Sequence, residues 1–313
     1  MNVSLVICTK NRHELLRQCL KSIAESSYPY SELIIVDQSD NEVSQKETEM
    51  LARAVKAMYY QEKKPRLAVS RNRALKLVNE SSELVVFADD DFAVDKNWLA
   101  SLLPNFNDPE VVCCTGRMLP LRNDTPSRLF ERTWSFDKGG ERRVFTRKHI
   151  NIFNLLKTAV SAIPSAKHRR LIGKAPPPWV GGGFVSFRKE IFREVGYFDE
   201  ELGIGTYSAG EDVDMYYRIL KAGYVIVYEP TSIVYHNHPG GIEDILRFSY
   251  TRGTIRRQFY KKYALDPYMI TCFLGSTLLN SLHLMRAILK KDREVRRVLC
   301  SELKGFMNSK WAG

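Results

Sequence analysis

Three adjacent carboxylates, Asp89-Asp90-Asp91, follow the apolar run Val85-Val86-Phe87-Ala88. Side by side at the end of a buried strand they repel one another, and the cost falls only when a cation or hydrogen-bond donors neutralise them. A hard divalent cation suits such a group: Mg2+ or Mn2+ commonly joins one or two protein carboxylates to phosphate oxygens. The triplet therefore points to a metal–diphosphate site, with an Asp-rich turn as the plainer alternative. A second acidic group, Gly210-Glu211-Asp212-Val213-Asp214, opens a helical pattern. Glu211 and Asp212 are stabilised there by the helix dipole in any case. If Asp212 faces a cleft, it can also take a proton from an attacking hydroxyl. The third group is Tyr235-His236-Asn237-His238. Its two histidines, two apart on extended chain, share a face. A neutral imidazole there completes a metal shell or is a hydrogen-bonded structural side chain.

These groups need elements to hold them. Val3–Thr9, Glu32–Asp37 and Glu83–Ala88 are short apolar runs, each with polar residues at or just beyond its end. Arg12–Glu25, Val43–Ala57 and Ser70–Val78 read as helices, and Ala57–Tyr60 fits a short strand. Strand alternating with helix predicts βαβ units and a mainly parallel sheet, whose ligands bind beyond the carboxyl ends of the strands. Thr9, Asp37 and Asp89–Asp91 all fall there. Further strands are expected near Val111–Thr115, Val180–Phe187, Tyr224–Tyr228 and Ser232–Tyr235, the last two on either side of Pro230. Ala209–Lys221 is expected to be a helix, and the chain after Gly240-Gly241 is expected to be helical to its end. Gly181-Gly182-Gly183 lets a backbone approach something closely or permits a bulge.

The 313 residues are 44% hydrophobic and 27% charged, which excludes disorder as a description of the whole and leaves ample material for a core. Six cysteines without a C-x-x-C pair exclude a zinc ribbon and a disulfide framework. The net charge of +11 is unevenly spread. Arg117–Lys174 holds 14 Lys and Arg against 4 Asp and Glu, and Gly241–Gly313 holds 14 against 6. Such blocks fit an anionic partner (an anionic membrane surface, a lipid-linked phosphate or nucleic acid) or a solvated basic face. No RNA- or DNA-binding motif accompanies the charge, so nucleic acid is not an expected partner. Residues 119–178 read as a basic insertion, with Ile150–Ile163 as a candidate interfacial helix. The first residues lack the pattern of a signal peptide and no run reaches 18 uninterrupted apolar residues, so cytoplasmic residence is expected. The apolar stretch 267–289 contains Thr271, Ser276, Thr277, Asn280, Ser281 and His283, and is expected to lie on a surface rather than span.

Several motifs recur in a telling order: Val-Ile-Cys-Thr-Lys-Asn-Arg (6–12), Ile-Ile-Val-Asp-Gln-Ser (34–39), Ser-Arg-Asn-Arg-Ala (70–74), Phe-Ala-Asp-Asp-Asp (87–91), Gly-Gly-Gly-Phe (181–184), Gly-Tyr-Phe-Asp-Glu (196–200), Gly-Glu-Asp-Val-Asp (210–214) and Tyr-His (235–236). The set resembles the family 2 glycosyltransferases over about residues 3–240. The resemblance implies a GT-A fold, a Rossmann-like mixed α/β sheet in a catalytic domain at 1–240, with a basic helical C-terminal extension at 241–313. It implies inverting transfer of a sugar from a nucleoside-diphosphate donor to a hydroxyl on a saccharide or lipid-linked acceptor, with Mn2+ or Mg2+. The setting would be bacterial cell-envelope polysaccharide or glycolipid synthesis, in the cytoplasm or peripheral at the inner face of the plasma membrane. Carried over residue by residue, Thr9, Asn11, Arg12 and Asp37 hold the nucleoside side, with Asp37 near the base. Arg71 lies against the nucleotide, Asp89 reaches the ribose with Asp90 beside it, Glu211 joins the donor-binding set, and Gly182 and Gly183 line the sugar pocket. Asp91 binds the metal with His236, His238 being the second choice, and Asp212 is the catalytic base. Cys8-Thr9-Lys10 and Asp37-Gln38-Ser39 depart from the family's frequent Pro-Thr-Tyr and Asp-Asp-Gly-Ser, so the base of the donor is not read from them. Two other readings use the same features: a nucleotide-sugar-binding protein without turnover, and a nucleotidyltransferase. The latter wants a glycine-rich phosphate loop after the first strand, and residues 8–12 contain no glycine.

Overall fold

The computed structural model describes residues 1–64, 66–134, 139–150, 184–202, 210–237 and 240–308. The chain divides into two compact units: the first holds Met1–Leu121 and the described residues within 137–147 and 178–237, the second those within 122–136, 148–177 and 238–313.

In the first unit β1 (Val3–Thr9), β2 (Glu32–Asp37), β3 (Met58–Gln61) and β4 (Leu84–Asp89) alternate with helices α1 (His13–Ala24), α2 (Glu42–Ala54) and α3 (Leu67–Leu77). They pair in parallel in the order β3-β2-β1-β4. The middles of β1, β2 and β4 are apolar on both faces, as in a covered parallel sheet: Leu5, Val6, Ile7, Ile34, Ile35, Val85 and Val86 have no exposed surface. Helix α1 turns Leu16, Cys19, Leu20 and Ile23 inward at helical spacing. Helix α2 starts where the Asn41 side chain accepts the Ser44 N–H at 2.8 Å.

Beyond β4 the sheet becomes mixed. The remaining strands are β5 (Phe92–Val94), β6 (Val111–Pro120), β7 (Arg143–Phe145), β8 (Phe184–Arg188) and β9 (Val225–His236). Among the described residues the order continues β4-β8-β6-β9-β5, with β7 also on β9. β8 runs antiparallel to β4 and β6, β9 parallel to β6, and β5 and β7 antiparallel to β9. Short helices α4 (Trp98–Leu102) and α6 (Ile191–Glu194) and the longer α7 (Glu211–Ala222) complete the unit. Where the sequence predicts two strands around Pro230, there is one, and its pairing with β6 breaks between Glu229 and Ile233. Pro230 has no N–H for a ladder, so the irregularity accommodates it. Facing the break is Gly116, where a Cβ would overlap the Ser232 carbonyl and lie 2.7 Å from the Phe184 ring. Val180, the glycines at 181–183 and the candidate helix at Ile150–Ile163, apart from Ile150 itself, lie outside the described residues.

The second unit is helical: α5 (Thr125–Trp134), α8 (Ile242–Lys262), α9 (Pro267–Leu289) and α10 (Arg293–Asn308). Its core joins Leu129, Phe130, Ile245, Ala287, Val295, Val298 and Leu299. Helices α8 and α10 meet backbone to backbone. A Cβ on Gly253 would strike the Glu302 carbonyl, and one on Gly305 the Tyr250 carbonyl. All six cysteines are free and four of them are buried.

Candidate active site

Strand register brings the first acidic groups into line. Thr9 sits opposite Asp37, and Cys8 opposite Asp89, at the carboxyl ends of β2, β1 and β4. The β1 end answers the charge of the triplet directly. Thr9 Oγ1 donates to Asp90 Oδ2 at 2.7 Å, and Arg12 Nη1 reaches Asp90 Oδ1 at 3.1 Å and Asp91 Oδ2 at 3.3 Å. Strand β5, which the sequence pattern does not predict, begins one residue after Asp91 and places Phe92 opposite His236. That pairing sets His236 Nε2 3.6 Å from Asp91 Oδ2, while the Asn237 N–H donates to the Asp91 carbonyl at 3.0 Å. The Phe92 ring meets the imidazole edge-on at 5.1 Å between centroids.

The three carboxyls do not share one electrostatic state. Burial pushes Asp90 up to about 6, against the pull of Arg12 and with the help of Asp91's repulsion. Asp89 is also raised, by burial first, with Arg71 opposing. Asp91 goes the other way: burial acts to raise it, but His236 and Arg12 outweigh burial and hold it below the ordinary carboxylate value. Asp91 is thus the most acidic of the three. Its Oδ1 is buried and, among the described residues, accepts no hydrogen bond. An anionic oxygen in that condition is costly unless a cation meets it, so the site fits a divalent ion. Asn237 Oδ1 is likewise buried without a partner, and it lines the same small pocket as Asp91, Leu15, Gln18, Phe92 and Leu121. Among the described residues no group of three or more His, Cys, Asp or Glu forms a ready-made cage. Two protein ligands, with water and phosphate oxygens for the rest, is the usual arrangement for Mg2+.

The second acidic group stands at the start of α7. Gly210 takes φ +121°, a conformation glycine tolerates, and helix α7 follows. Asp212 Oδ1 accepts the N–H groups of Val213 at 2.8 Å and Gly210 at 3.3 Å, which pins the side chain. Burial raises the Asp212 pKa, while Arg71 and these N–H donors oppose the rise.

Helix α3 ties the two acidic groups together, and Arg71, Asn72 and Arg73 each reach beyond it. Arg71 Nη1 donates to Glu211 Oε1 at 2.9 Å and Nη2 to Asp89 Oδ1 at 3.3 Å. Its guanidinium also lies 5.6 Å and 5.5 Å from the ring centroids of Phe87 and Phe198. Asn72 exchanges two hydrogen bonds with the Phe198 backbone, and Arg73 pairs with Glu62 at 3.2 Å. Arg71 and Glu211 are each only 2% exposed, so this pair has almost no surface to offer a donor and acts as a tie between β4 and α7.

Other residues of the resemblance are similarly committed. Asp37 is fully buried, with Oδ1 accepting the Ser39 N–H at 2.8 Å and Oδ2 the Tyr59 hydroxyl at 3.0 Å. Asn11 adopts φ +55°, a region asparagine enters more readily than most residues. Its amide joins the loop after β1 to the loop after β2, through Asp40 and Asn41 at 2.7 Å each. Arg12, 37% exposed, is the open cation of the group. Gly182, Gly183 and His238 lie outside the described residues. Asn237 and Tyr59 are contacts that the sequence pattern does not single out. The two histidines beside Asn237 draw attention from it, and Tyr59 becomes visible only once β3 is paired with β2.

Residues 1–252 match the family model described as glycosyltransferase like family 2. The chain belongs to glycosyltransferase family 2. A pre-mycofactocin glycosyltransferase of Mycobacterium tuberculosis is 30% identical over 178 residues, 56% of this chain and 31% of its own length. An O-antigen chain rhamnosyltransferase of Salmonella anatum is 27% identical over 169 residues, 54% of this chain and 45% of its own. The chain thus spans less than half the length of these first curated relatives. A second O-antigen chain rhamnosyltransferase, of Salmonella typhimurium, is 22% identical over 76% of this chain and 67% of its own. Among solved structures, that of GalNAc-T7 with UDP, GalNAc and Mn2+ superposes with a TM-score of 0.52 at 17% identity, covering 86% of this chain and 52% of that one. At that identity the likeness is one of fold, and the fold is GT-A.

Proposed function

We propose that this glycosyltransferase moves a sugar from a nucleoside-diphosphate donor to an acceptor hydroxyl with inversion at the anomeric carbon. The observation that carries the reading is the continuity of the site. The end of β4 is linked to His236 through Asp91, and to the start of α7 through Asp89, Arg71 and Glu211. Residues 1–240 are the catalytic domain in this reading, and 241–313 a basic helical extension. Asp212 is the base. Its Oδ1 is held by two backbone N–H groups, which leaves Oδ2 to take the acceptor's proton. One base and one displacement need no covalent intermediate, which is why inversion is expected.

Asp91 and His236 are the residues to hold a divalent cation, Mn2+ or Mg2+. When bound, it supplies charge compensation for the departing diphosphate. The buried, unpartnered Oδ1 of Asp91 supports this, and so does the Mn2+ that accompanies UDP in the GalNAc-T7 structure. Arg12 and Thr9 stand at the nucleotide side. Arg12 already bridges Asp90 and Asp91 and is exposed enough to meet a phosphate instead. Asp37, fixed by Ser39 and Tyr59, shapes the floor near the base. The O-antigen rhamnosyltransferases among the relatives support a role in bacterial envelope polysaccharide or glycolipid assembly, on a saccharide or lipid-linked acceptor at the inner face of the membrane.

The test is a panel of nucleoside-diphosphate sugars with Mn2+, read by donor binding and by release of the nucleoside diphosphate, for the full chain and for Asp212→Asn. The variant should lose about 10²–10⁴-fold in turnover, the usual worth of general-base assistance, while donor affinity survives. Equal loss of binding and turnover would remove Asp212 from the role of base. Metal-dependent binding across the panel with no turnover would make the chain a nucleotide-sugar-binding protein.

A further inference from the structure

Helix α9 differs from its neighbours in the second unit. Among the described residues it is the one helix long and apolar enough to cross a bilayer, 23 residues without Asp, Glu, Lys or Arg before Arg286. One side of it packs along the whole length. Tyr268, Met269, Cys272 and Ala287 are buried, Ser276 hydrogen-bonds with Arg256 at 3.1 Å and Tyr260 at 3.0 Å, and the Asn280 amide donates to Glu302 at 3.5 Å. A helix held in this way lies along a surface.

The other side is apolar and open. Ile270, Leu274, Leu278, Leu282, Met285 and Leu289 recur at steps of four, four, four, three and four, and are 37% to 79% exposed. That spacing makes one continuous stripe. Leu265, 95% exposed in the preceding turn, extends it. Two of the hydroxyls on this side are satisfied within the helix: Thr271 donates to the Pro267 carbonyl at 2.8 Å and Ser281 to the Thr277 carbonyl at 2.9 Å. Satisfying polar groups internally is what a water-poor medium demands. Exposed basic residues stand at both ends, Lys261 and Lys262 before the helix and Lys290, Lys291, Arg293 and Arg296 after it. An apolar stripe between cationic ends matches the layering of an anionic bilayer, with acyl chains beneath and phosphates above.

We infer that this face of α9 docks the protein on an anionic lipid surface, the helix lying in the boundary between headgroups and acyl chains with the stripe inward. The inference deepens the membrane-side part of the functional reading. Its test uses no donor or acceptor, so the two can fail separately. The full chain is floated with phosphatidylcholine vesicles with and without phosphatidylglycerol, at low and high salt. It should float with the anionic vesicles at low salt and be partly released by salt. Leu274→Gln with Leu278→Gln should weaken binding at least about tenfold on all vesicles, from the lost apolar burial. Lys290→Gln, Lys291→Gln and Arg293→Gln together should weaken binding on the order of 10²-fold on anionic vesicles alone. Circular dichroism and melting of each variant separate lost docking from lost folding. A wild-type chain that stays unbound at low salt overturns the inference, as does a folded stripe variant that floats like the wild type. A dimer in light scattering that the stripe variant abolishes, with no flotation, gives the face to a second copy and also overturns it.

Discussion

Each unit of the molecule buries an arginine against a glutamate. Arg71 meets Glu211 at 2.9 Å with both side chains 2% exposed, and Arg256 meets Glu302 at 3.0 Å with 12% and 7%. Both guanidiniums also lie against rings, Arg71 by Phe87 and Phe198, Arg256 by Tyr260 and Phe306. The difference lies in what else each pair touches. Arg256 reaches Ser276, and Glu302 accepts from Asn280, so that network joins α8, α9 and α10 and, among the described residues, goes no further. Arg71 reaches a second carboxylate, Asp89, and its charge is felt at Asp212. A buried ion pair is therefore not in itself a mark of function; here the acids gathered around one guanidinium are.

The sharpest way to break that distinction is to remove both arginines in turn. Arg71→Met and Arg256→Met each leave a buried glutamate without its partner, and each should lower unfolding free energy by about 3–5 kcal/mol. Only Arg71→Met should also lower turnover per folded molecule, on the order of 10²-fold, because the tie that positions α7 against β4 is gone. Chemical denaturation and donor turnover normalised to the folded fraction measure the two effects separately. If Arg256→Met costs as much turnover per folded molecule, the two pairs are functionally alike and the contrast is lost.

A smaller effect sharpens the comparison from the helical side. That unit depends on close backbone approach, where the sheet unit depends on compensated charge. Gly305→Ala places a Cβ on the Tyr250 carbonyl and should destabilise by about 1–3 kcal/mol, as overpacking does. Gly275→Ala, on α9 with nothing within 4 Å of the added carbon, should instead be neutral or stabilise by up to about 1 kcal/mol through helix propensity. Melting of the two variants reads the difference, and equal effects would show that the α8–α10 contact is looser than the backbone positions require.

The same contrast explains what could be read from the sequence. The parallel strands, their helices and the line of Thr9, Asp37 and Asp89 follow from short apolar runs ending in polar residues, because strand period and strand ends are local properties. Strand β5 was not legible. Three residues carry too little pattern, and its existence depends on β9 being there to pair with. The role of Arg71 was not legible either. Ser-Arg-Asn-Arg-Ala announces a polar segment on a helix, but whether its arginine meets a nucleotide or a buried glutamate 140 residues away depends on tertiary packing. Pro230 misleads in the opposite sense. It breaks the pattern of β9 into two, while the sheet absorbs it at a register shift opposite Gly116.

The finest test of the comparison is a pH profile. Burial raises the Asp212 carboxyl above its ordinary value of 3.8, and the Arg71 charge pulls it part of the way back. A general base works only when deprotonated, so kcat/KM should fall as pH falls through that raised pKa, on an acid limb displaced upward from the usual carboxylate range. The profile is measured with the divalent cation saturating, so that the carboxylates at the end of β4 stay ionised and the limb belongs to Asp212. Arg71→Met removes the charge that favours the ionised form, which raises the pKa further and moves the limb to higher pH. Arg256→Met leaves the limb where it was. If the limb stays put in Arg71→Met while turnover drops, then Arg71 acts by holding α7 in place and its charge contributes nothing to the readiness of the base.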